Sequence, residues 1–236
     1  MSKIILENRD CFDFLRNTPN NSISLVLTDP PYEVSRDTNF SSGRPKGTDT
    51  DRFRVSMKFG EWDSGFTGLD EVIKECYRVL KNSGTMICFY DLWKLTVLRE
   101  YFENANFRQI RFIEWLKTNP VPLNSSLNYL TNAREIAVTG VKGGKPTFHA
   151  EYDNGIYRYP ICHDKWRFHS TQKPIMLLED IIEKHSNEGD LILDCFAGSG
   201  STAQAAFNKN RDFTGCELSK EYFDKSVQHL KAMGMI

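Results

Sequence analysis

The tetrapeptide Asp29-Pro30-Pro31-Tyr32 follows an apolar run, Ile23-Ser24-Leu25-Val26-Leu27-Thr28. That run reads as a buried strand. An acid, two stiff prolines and an aromatic ring thus stand where a strand ends. In sheets of parallel strands, ligands bind at those carboxyl ends. A carboxylate, a backbone carbonyl and a flat ring on a rigid turn can hold a planar group with an exocyclic amine. Asp-Pro alone is a common turn dipeptide. The whole tetrapeptide is a stronger signal, because a second motif agrees with it.

That motif is Leu191-Ile192-Leu193-Asp194-Cys195-Phe196-Ala197-Gly198-Ser199-Gly200-Ser201-Thr202. It reads as a strand, a glycine-rich turn and a helix start. Gly198 and Gly200 permit a tight turn and close approach of a ligand to the backbone. Glu217 ends the next strand, Phe213-Thr214-Gly215-Cys216-Glu217, about twenty residues further on. An acid there can accept hydrogen bonds from two ribose hydroxyls. The turn is Phe-x-Gly-x-Gly. It lacks the third glycine of the dinucleotide fingerprint and is not a phosphate-binding loop. A plain strand-to-helix turn is the bland alternative, and Glu217 at this distance favours a nucleoside.

The chain has 236 residues, 40% hydrophobic and 26% charged, enough for one domain with a sizeable core. No apolar stretch approaches the roughly 20 residues of a membrane span. The N-terminus runs straight into a strand and does not read as a signal peptide. Six cysteines are present, none in a Cys-x-x-Cys pair. Cys88, Cys195 and Cys216 lie in apolar runs, which suits buried thiols in a reducing cytoplasm. Cys162, His163 and His169 fit no four-ligand zinc spacing, so no metal is expected. The net charge of −1 hides an asymmetry. Arg36, Arg44, Lys46, Arg52, Arg54 and Lys58 outnumber the acids of residues 36–60. Lys142, Lys145, Arg158, Lys165, Arg167 and Lys173 do so in residues 141–174. Two basic, turn-rich segments in an otherwise acidic chain suggest a face that meets a polyanion, or two solvated loops.

Periodicity predicts strands at Ile4–Asn8, Ser24–Thr28, Thr85–Tyr90, Gln109–Trp115, Glu135–Thr139, Asp190–Asp194 and Asp212–Glu217. It predicts helices at Cys11–Arg16, Leu69–Leu80, Leu92–Glu103, Ile175–His185, Ser201–Asn208 and Lys220–Met233, with a chain reversal at Gly84. The alternation implies an α/β fold: a Rossmann-like, mostly parallel twisted sheet with helices on both faces. Gln109–Trp115 and Glu135–Thr139 have no helix between them, which predicts an antiparallel pair at one edge. Residues 1–236 read as one catalytic domain. Long stretches without periodicity, about 33–68 and 118–168, are expected to be functional loops.

Together the motifs resemble the S-adenosylmethionine-dependent amino-methyltransferases of DNA. The catalytic motif precedes the cofactor motif here, as in the permuted beta group. His169-Ser170-Thr171-Gln172-Lys173-Pro174 is similar to that group's His-Pro-Thr-Gln-Lys-Pro segment, departing at Ser170. Trp115-Leu116-Lys117-Thr118-Asn119-Pro120 resembles its Trp-x-Lys-x-Asn-Pro segment. Small prokaryotic members containing Phe-Gly-Glu-Trp-Asp, here Phe59–Asp63, are similar, including restriction–modification adenine enzymes. The resemblance implies catalysis by Asp29, Pro30, Pro31 and Tyr32. It implies S-adenosyl-L-methionine held by Asp10, Ser170, Thr171, Lys173, Asp194, Phe196, Gly198, Gly200 and Glu217. Ser170, Thr171 and Lys173 are expected over the methionine part, and Asp10 near the adenine. Target recognition falls in the two basic segments, with Arg36, Arg44, Lys46, Arg52, Arg54, Arg158 and Arg167 as DNA-binding candidates. Further implied are DNA with a flipped target base, a homodimer, a cognate restriction endonuclease acting on the same site, and a cytoplasmic, prokaryotic or phage-encoded, nucleoid-associated setting.

The expected reaction is methylation of the 6-amino group of adenine in DNA. The 4-amino group of cytosine is nearly the same acceptor chemically. Asp rather than Ser before Pro-Pro-Tyr tilts the reading to adenine. RNA, a protein side-chain amide, or an inactive DNA-binding partner are the remaining alternatives.

Overall fold

Apolar strands alternating with amphipathic helices leave the chain one economical solution, a central sheet covered on both faces. The computed structural model describes residues 2–31, 66–120, 131–162, 167–168 and 172–236. In chain order the elements are β1 (Ile4–Asn8), α1 (Cys11–Asn17), β2 (Ile23–Thr28), α2 (Leu69–Val79) and β3 (Leu80–Tyr90). A 3₁₀ turn (Leu92–Lys94), α3 (Leu95–Asn104), β4 (Arg108–Lys117), β5 (Arg134–Val141) and β6 (Ile156–Tyr159) follow. The chain then forms α4 (Ile175–His185), β7 (Leu191–Asp194), α5 (Ser201–Asn208), β8 (Asp212–Glu217) and α6 (Lys220–Ala232). Residues up to Pro30 and from Gly68 onward group into one compact unit. Residues 31–67 divide from it, and of these only Pro31, Phe66 and Thr67 are described.

The sheet runs β1-β8-β7-β2-β3-β5-β4-β6. The first five of these strands are mutually parallel. β5 runs antiparallel to both β3 and β4, and β6 is parallel to β4. In β2, Leu25 and Leu27 face one side. They join Ile87 and Phe89 of β3 in a core with Leu177 and Ile181 of α4, Ala203 and Ala206 of α5, and Leu230 of α6. The alternate residues Val26, Met86 and Cys88 are also fully buried. The central strands are therefore covered on both faces, as their uniformly apolar sequences require.

α2 shows how locally the sequence dictates its element. Leu69, Val72, Ile73, Cys76 and Val79 bury one face at helical spacing. Asp70 and Glu71 sit in its first turn and Arg78 in its last, each suited to the dipole end it meets. An extended Leu80 stops it. The chain reversal expected at Gly84 falls within β3. The β2–β3 register shifts between Ile23 and Leu25, and Ser83 takes a positive φ of 70°. The helix thus passes directly into the strand, and a bulge absorbs the change of direction. The helix expected from Leu92 divides into the 3₁₀ turn and α3. β6 went unpredicted. Its Ile-Tyr-Arg-Tyr is too short to show a period, and it lies beyond the expected edge pair.

All six cysteines are buried free thiols, as the apolar runs predict for Cys88, Cys195 and Cys216. No described helix is long and apolar enough to cross a membrane.

Gly215 governs how closely β7 and β8 approach. It sits in register between Asp194 and Leu6. A Cβ there would stand 2.4 Å from the Asp194 carbonyl oxygen and 2.6 Å from the Phe213 ring. The Asp194 oxygen cannot give way without moving the strand that carries it, and the Phe213 ring is fully buried. Gly215→Ala is predicted to cost about 1–3 kcal/mol, seen in urea unfolding as a lower midpoint at unchanged slope. A wild-type midpoint would contradict the packing described.

Candidate active site

Four acids converge because the strands that carry them are parallel. Asp10 follows β1, Asp29 follows β2, Asp194 ends β7 and Glu217 ends β8. Their carboxylates therefore share the carboxyl edge of the sheet, where loops leave space for a ligand.

Asp10 caps α1. Its Oδ1 accepts from the backbone N–H of Phe12 at 2.9 Å and of Asp13 at 3.4 Å. This fixes the turn between β1 and α1. Asp194 is buried and fully engaged. Its Oδ1 accepts from the Thr28 hydroxyl at 2.7 Å and the Phe196 N–H at 3.0 Å, and its Oδ2 accepts from the Thr202 hydroxyl at 2.7 Å. Burial pushes its carboxyl up to about 6, against the lowering effect of those three donors. This side chain, expected at the cofactor, ties β2, the glycine-rich turn and α5 together. Thr28 and Thr202 are the residues that sequence reasoning missed here. Their positions, just before Asp29 and at the helix start, were the available signal.

Gly198 and Gly200 take positive φ values of 50° and 75°. Ser226 of α6 donates to the Gly198 carbonyl at 2.7 Å. Glu217 Oε2 accepts from the Gly198 N–H at 2.9 Å, and Oε1 accepts from the Ser219 N–H at 2.8 Å. Burial raises this carboxyl above its ordinary value, and the two N–H groups act the other way. A carboxylate offers about four acceptor sites. With two filled by backbone, Glu217 retains acceptor capacity that suits a vicinal diol.

Asp29 lies against Lys173, whose ammonium contacts Asp29 Oδ2 and, at 3.1 Å, Glu135 Oε2. The Lys173 side chain is only 6% exposed and lies over the Phe89 ring, 5.0 Å from its centroid. Burial alone would lower its pKa, but Asp29 and Glu135 outweigh burial and raise it. Such a buried ammonium is tolerated only beside counter-charges. The segment that carries Lys173 was expected over a cofactor; in this structure the ammonium joins β5 to the acid after β2.

Pro30 is buried and Pro31 half-buried. Tyr32, Arg36, Arg44, Lys46, Arg52 and Arg54 lie outside the described residues, as do Ser170, Thr171 and the Phe59–Asp63 segment. Arg158 is exposed on β6, and Arg167 is exposed. No cluster of metal-ligating side chains occurs among the described residues.

The family described as DNA methylase, the N6/N4 methyltransferases, matches residues 23–228. The chain belongs to this family. It is 32% identical to the type II methyltransferase M2.DpnII of Streptococcus pneumoniae, over 98% of this chain and 91% of that one. It is 30% identical to the type II methyltransferase M.HinfI of Haemophilus influenzae, over 94% of this chain and 67% of that one. Among solved structures, M1.HpyAVI in complex with SAM matches 96% of this chain and 100% of its own, at 27% identity and a TM-score of 0.70. The cytosine-N4-specific PvuII DNA methyltransferase matches 96% of this chain and 86% of its own, at a TM-score of 0.72 and 17% identity, a likeness of fold.

In this methylase the Asp194 knot has a pH signature. Its folded pKa is raised above the unfolded one, so the protonated form is favoured in the folded state. Its contribution is therefore full below about pH 4 and lost as pH rises through about 6. The stability of the wild type relative to Asp194→Asn is predicted to fall by about 2–3 kcal/mol across that window. Denaturant titrations at half-unit pH steps read this. Parallel curves for the two proteins would contradict it.

Proposed function

We propose that this chain methylates the 6-amino group of adenine in DNA, using S-adenosyl-L-methionine. The observation that carries the reading is Asp29, held by a buried lysine at the end of β2, on the sheet edge it shares with Glu217 and the glycine-rich turn. Glu217 suits the ribose diol, and Gly198 and Gly200 leave the backbone open to the methionine part. Asp10 stands at the adjacent strand end for the cofactor's base. The neighbour M1.HpyAVI was crystallised with SAM, which supports the assignment. When bound, the cofactor supplies an electrophilic methyl group on a sulfonium.

An exocyclic amine on a purine is a poor nucleophile, because its lone pair is delocalised into the ring. Asp29 accepts one of the two amino hydrogens, and the Pro30 carbonyl accepts the other. With both hydrogens held, the lone pair localises on nitrogen and can attack. Proton loss follows transfer, because the attacking amine already carries the pair it needs. Asp29 is thus an acceptor and orienter first. A carboxylate has acceptor sites enough for Lys173 and the amine together. Tyr32 is assigned to stack on the flipped base. Stacking is worth about 1–3 kcal/mol, which offsets much of the few kcal/mol that flipping costs. Arg158 and Arg167, with the arginines and lysine of residues 36–54, are assigned to the DNA. The order of the motifs supports the permuted group. The type II names of the relatives support a restriction–modification setting, with a cognate nuclease and a cytoplasmic site of action.

A second reading, methylation of the 4-amino group of cytosine, has the same acceptor geometry and the fold of PvuII methyltransferase behind it. Asp29, where the cytosine type more often has Ser, favours adenine. Transfer of labelled methyl to mixed genomic DNA, followed by nucleoside analysis, separates the two. N6-methyladenine is expected from the wild type. Asp29→Ala should lose roughly 10²–10³-fold in rate while still binding the cofactor. N4-methylcytosine as sole product would replace adenine by cytosine. No transfer from a wild type that binds the cofactor would refute the reading.

A further inference from the structure

One sequence segment, Trp115–Pro120, has found no role in the chemistry so far. Its residues have clear partners. Trp115 Nε1 donates to the Tyr159 carbonyl at 2.9 Å, and Asn119 Oδ1 accepts from the Ile161 N–H at 2.7 Å. These two bonds fasten residues 159–161 beside the end of β4. Between them Lys117 projects to Glu135 of β5, its ammonium 2.8 Å from Oε1. The Trp115 ring lies beneath that ammonium, 5.2 Å from centroid to Nζ. The other oxygen of Glu135 faces Lys173, which reaches Asp29. Four charges of alternating sign thus run from β4 through β5 and the entry to α4, ending at the acid after β2.

We propose that Glu135 is a positioning residue for methyl transfer, acting through Lys173 on Asp29, with Lys117 as its anchor. The inference rests on the function proposed above. Lys173 is drawn by two carboxylates at once. Without Glu135, its buried charge would have, among the described residues, only Asp29 to neutralise it, and would draw that carboxylate out of line with the substrate amine. Glu135 divides the ammonium's attention and fixes its place. Lys117 keeps Glu135 from collapsing wholly onto Lys173. The charges of Lys117, Glu135, Lys173 and Asp29 cancel, which suits a half-buried setting. Burial works to raise the Glu135 carboxyl, but Lys173 and Lys117 prevail and hold it below its ordinary value, so it stays ionised.

Glu135→Gln is the direct test, because it keeps the size and shape of the side chain. An amide has one oxygen and one NH₂, so one of the two lysines loses its acceptor. The expected result is a kcat lower by roughly 10- to 100-fold, the range that a small misplacement at a reacting centre produces. The KM for DNA and the calorimetric affinity for S-adenosylmethionine should stay within about twofold of wild type, a change of less than 0.5 kcal/mol. A pH profile adds a readout that a purely structural role would not move. Lys173 faces Asp29 from β2, Glu135 from β5 and the Phe89 ring from β3, while Cys88 and Asp194 face Asp29 in turn. Removing Glu135 leaves burial opposed by Asp29 alone, so the pKa of Lys173 falls. The rate of the variant should then drop at alkaline pH, where the wild type stays flat. Lys117→Met, at the outer end of the chain, provides the second variant. It should fold as wild type does and show a smaller loss confined to kcat, and it decides the matter if Glu135→Gln does not fold. Wild-type kcat and parallel pH profiles in the variants would overturn the inference. An inactive wild type would overturn the function it rests on instead, so the two failures are distinguishable.

Discussion

A lysine ammonium, almost wholly withdrawn from water, holds the acid of the candidate catalytic turn. Burying that charge is costly, and among the described residues the carboxylates of Asp29 and Glu135 offset that cost. The dependence runs in both directions. Lys173 needs the acids to remain charged, and Asp29 has one carboxylate oxygen engaged by Lys173. Much of the surrounding fold supports this pairing. β5 must lie beside β3 to bring Glu135 across, and the segment entering α4 must place its ammonium over the Phe89 ring.

The other half of the site is built from hydrogen bonds to backbone and hydroxyl groups. Asp194 joins Thr28, directly before Asp29, to Thr202 at the start of α5. Glu217 and Ser226 hold Gly198 from two sides. The turn after β7 is thereby fixed relative to the turn after β2. One is the candidate cofactor turn and the other the candidate catalytic turn. Gly215 contributes by absence, since any side chain there would push β7 away from β8.

Much of this architecture was legible in the sequence, for physical reasons that differ by element. The central strands are apolar throughout because both of their faces are covered, so their existence and parallel direction follow from composition and alternation. The motif turns were legible because Pro30, Pro31, Gly198 and Gly200 restrict or release the backbone in recognisable ways. β6 was not legible, since four residues carry no period and its pairing with β4 is set by tertiary contact. The change of direction expected at Gly84 is made by a bulge of β3 that spans it. Asp194 and Lys173 were found as residues, but their contacts were not foreseeable. A motif shows that a side chain matters without showing what it touches. Glu135 left no local signal. It belongs to the site only because β5 returns antiparallel beside β3, a pairing that spans more than forty residues of chain.

The central claim is that Asp29 meets its substrate while still held by Lys173. A crystal structure of the wild-type chain with a cofactor analogue and duplex DNA carrying a flipped target adenine tests it most directly. The account predicts Lys173 Nζ within hydrogen-bonding distance of both Asp29 and Glu135, with the two amino hydrogens of the base directed at the Asp29 carboxylate and the Pro30 carbonyl. Lys173 withdrawn from Asp29 and placed on the cofactor, with the amine still engaged, would contradict it.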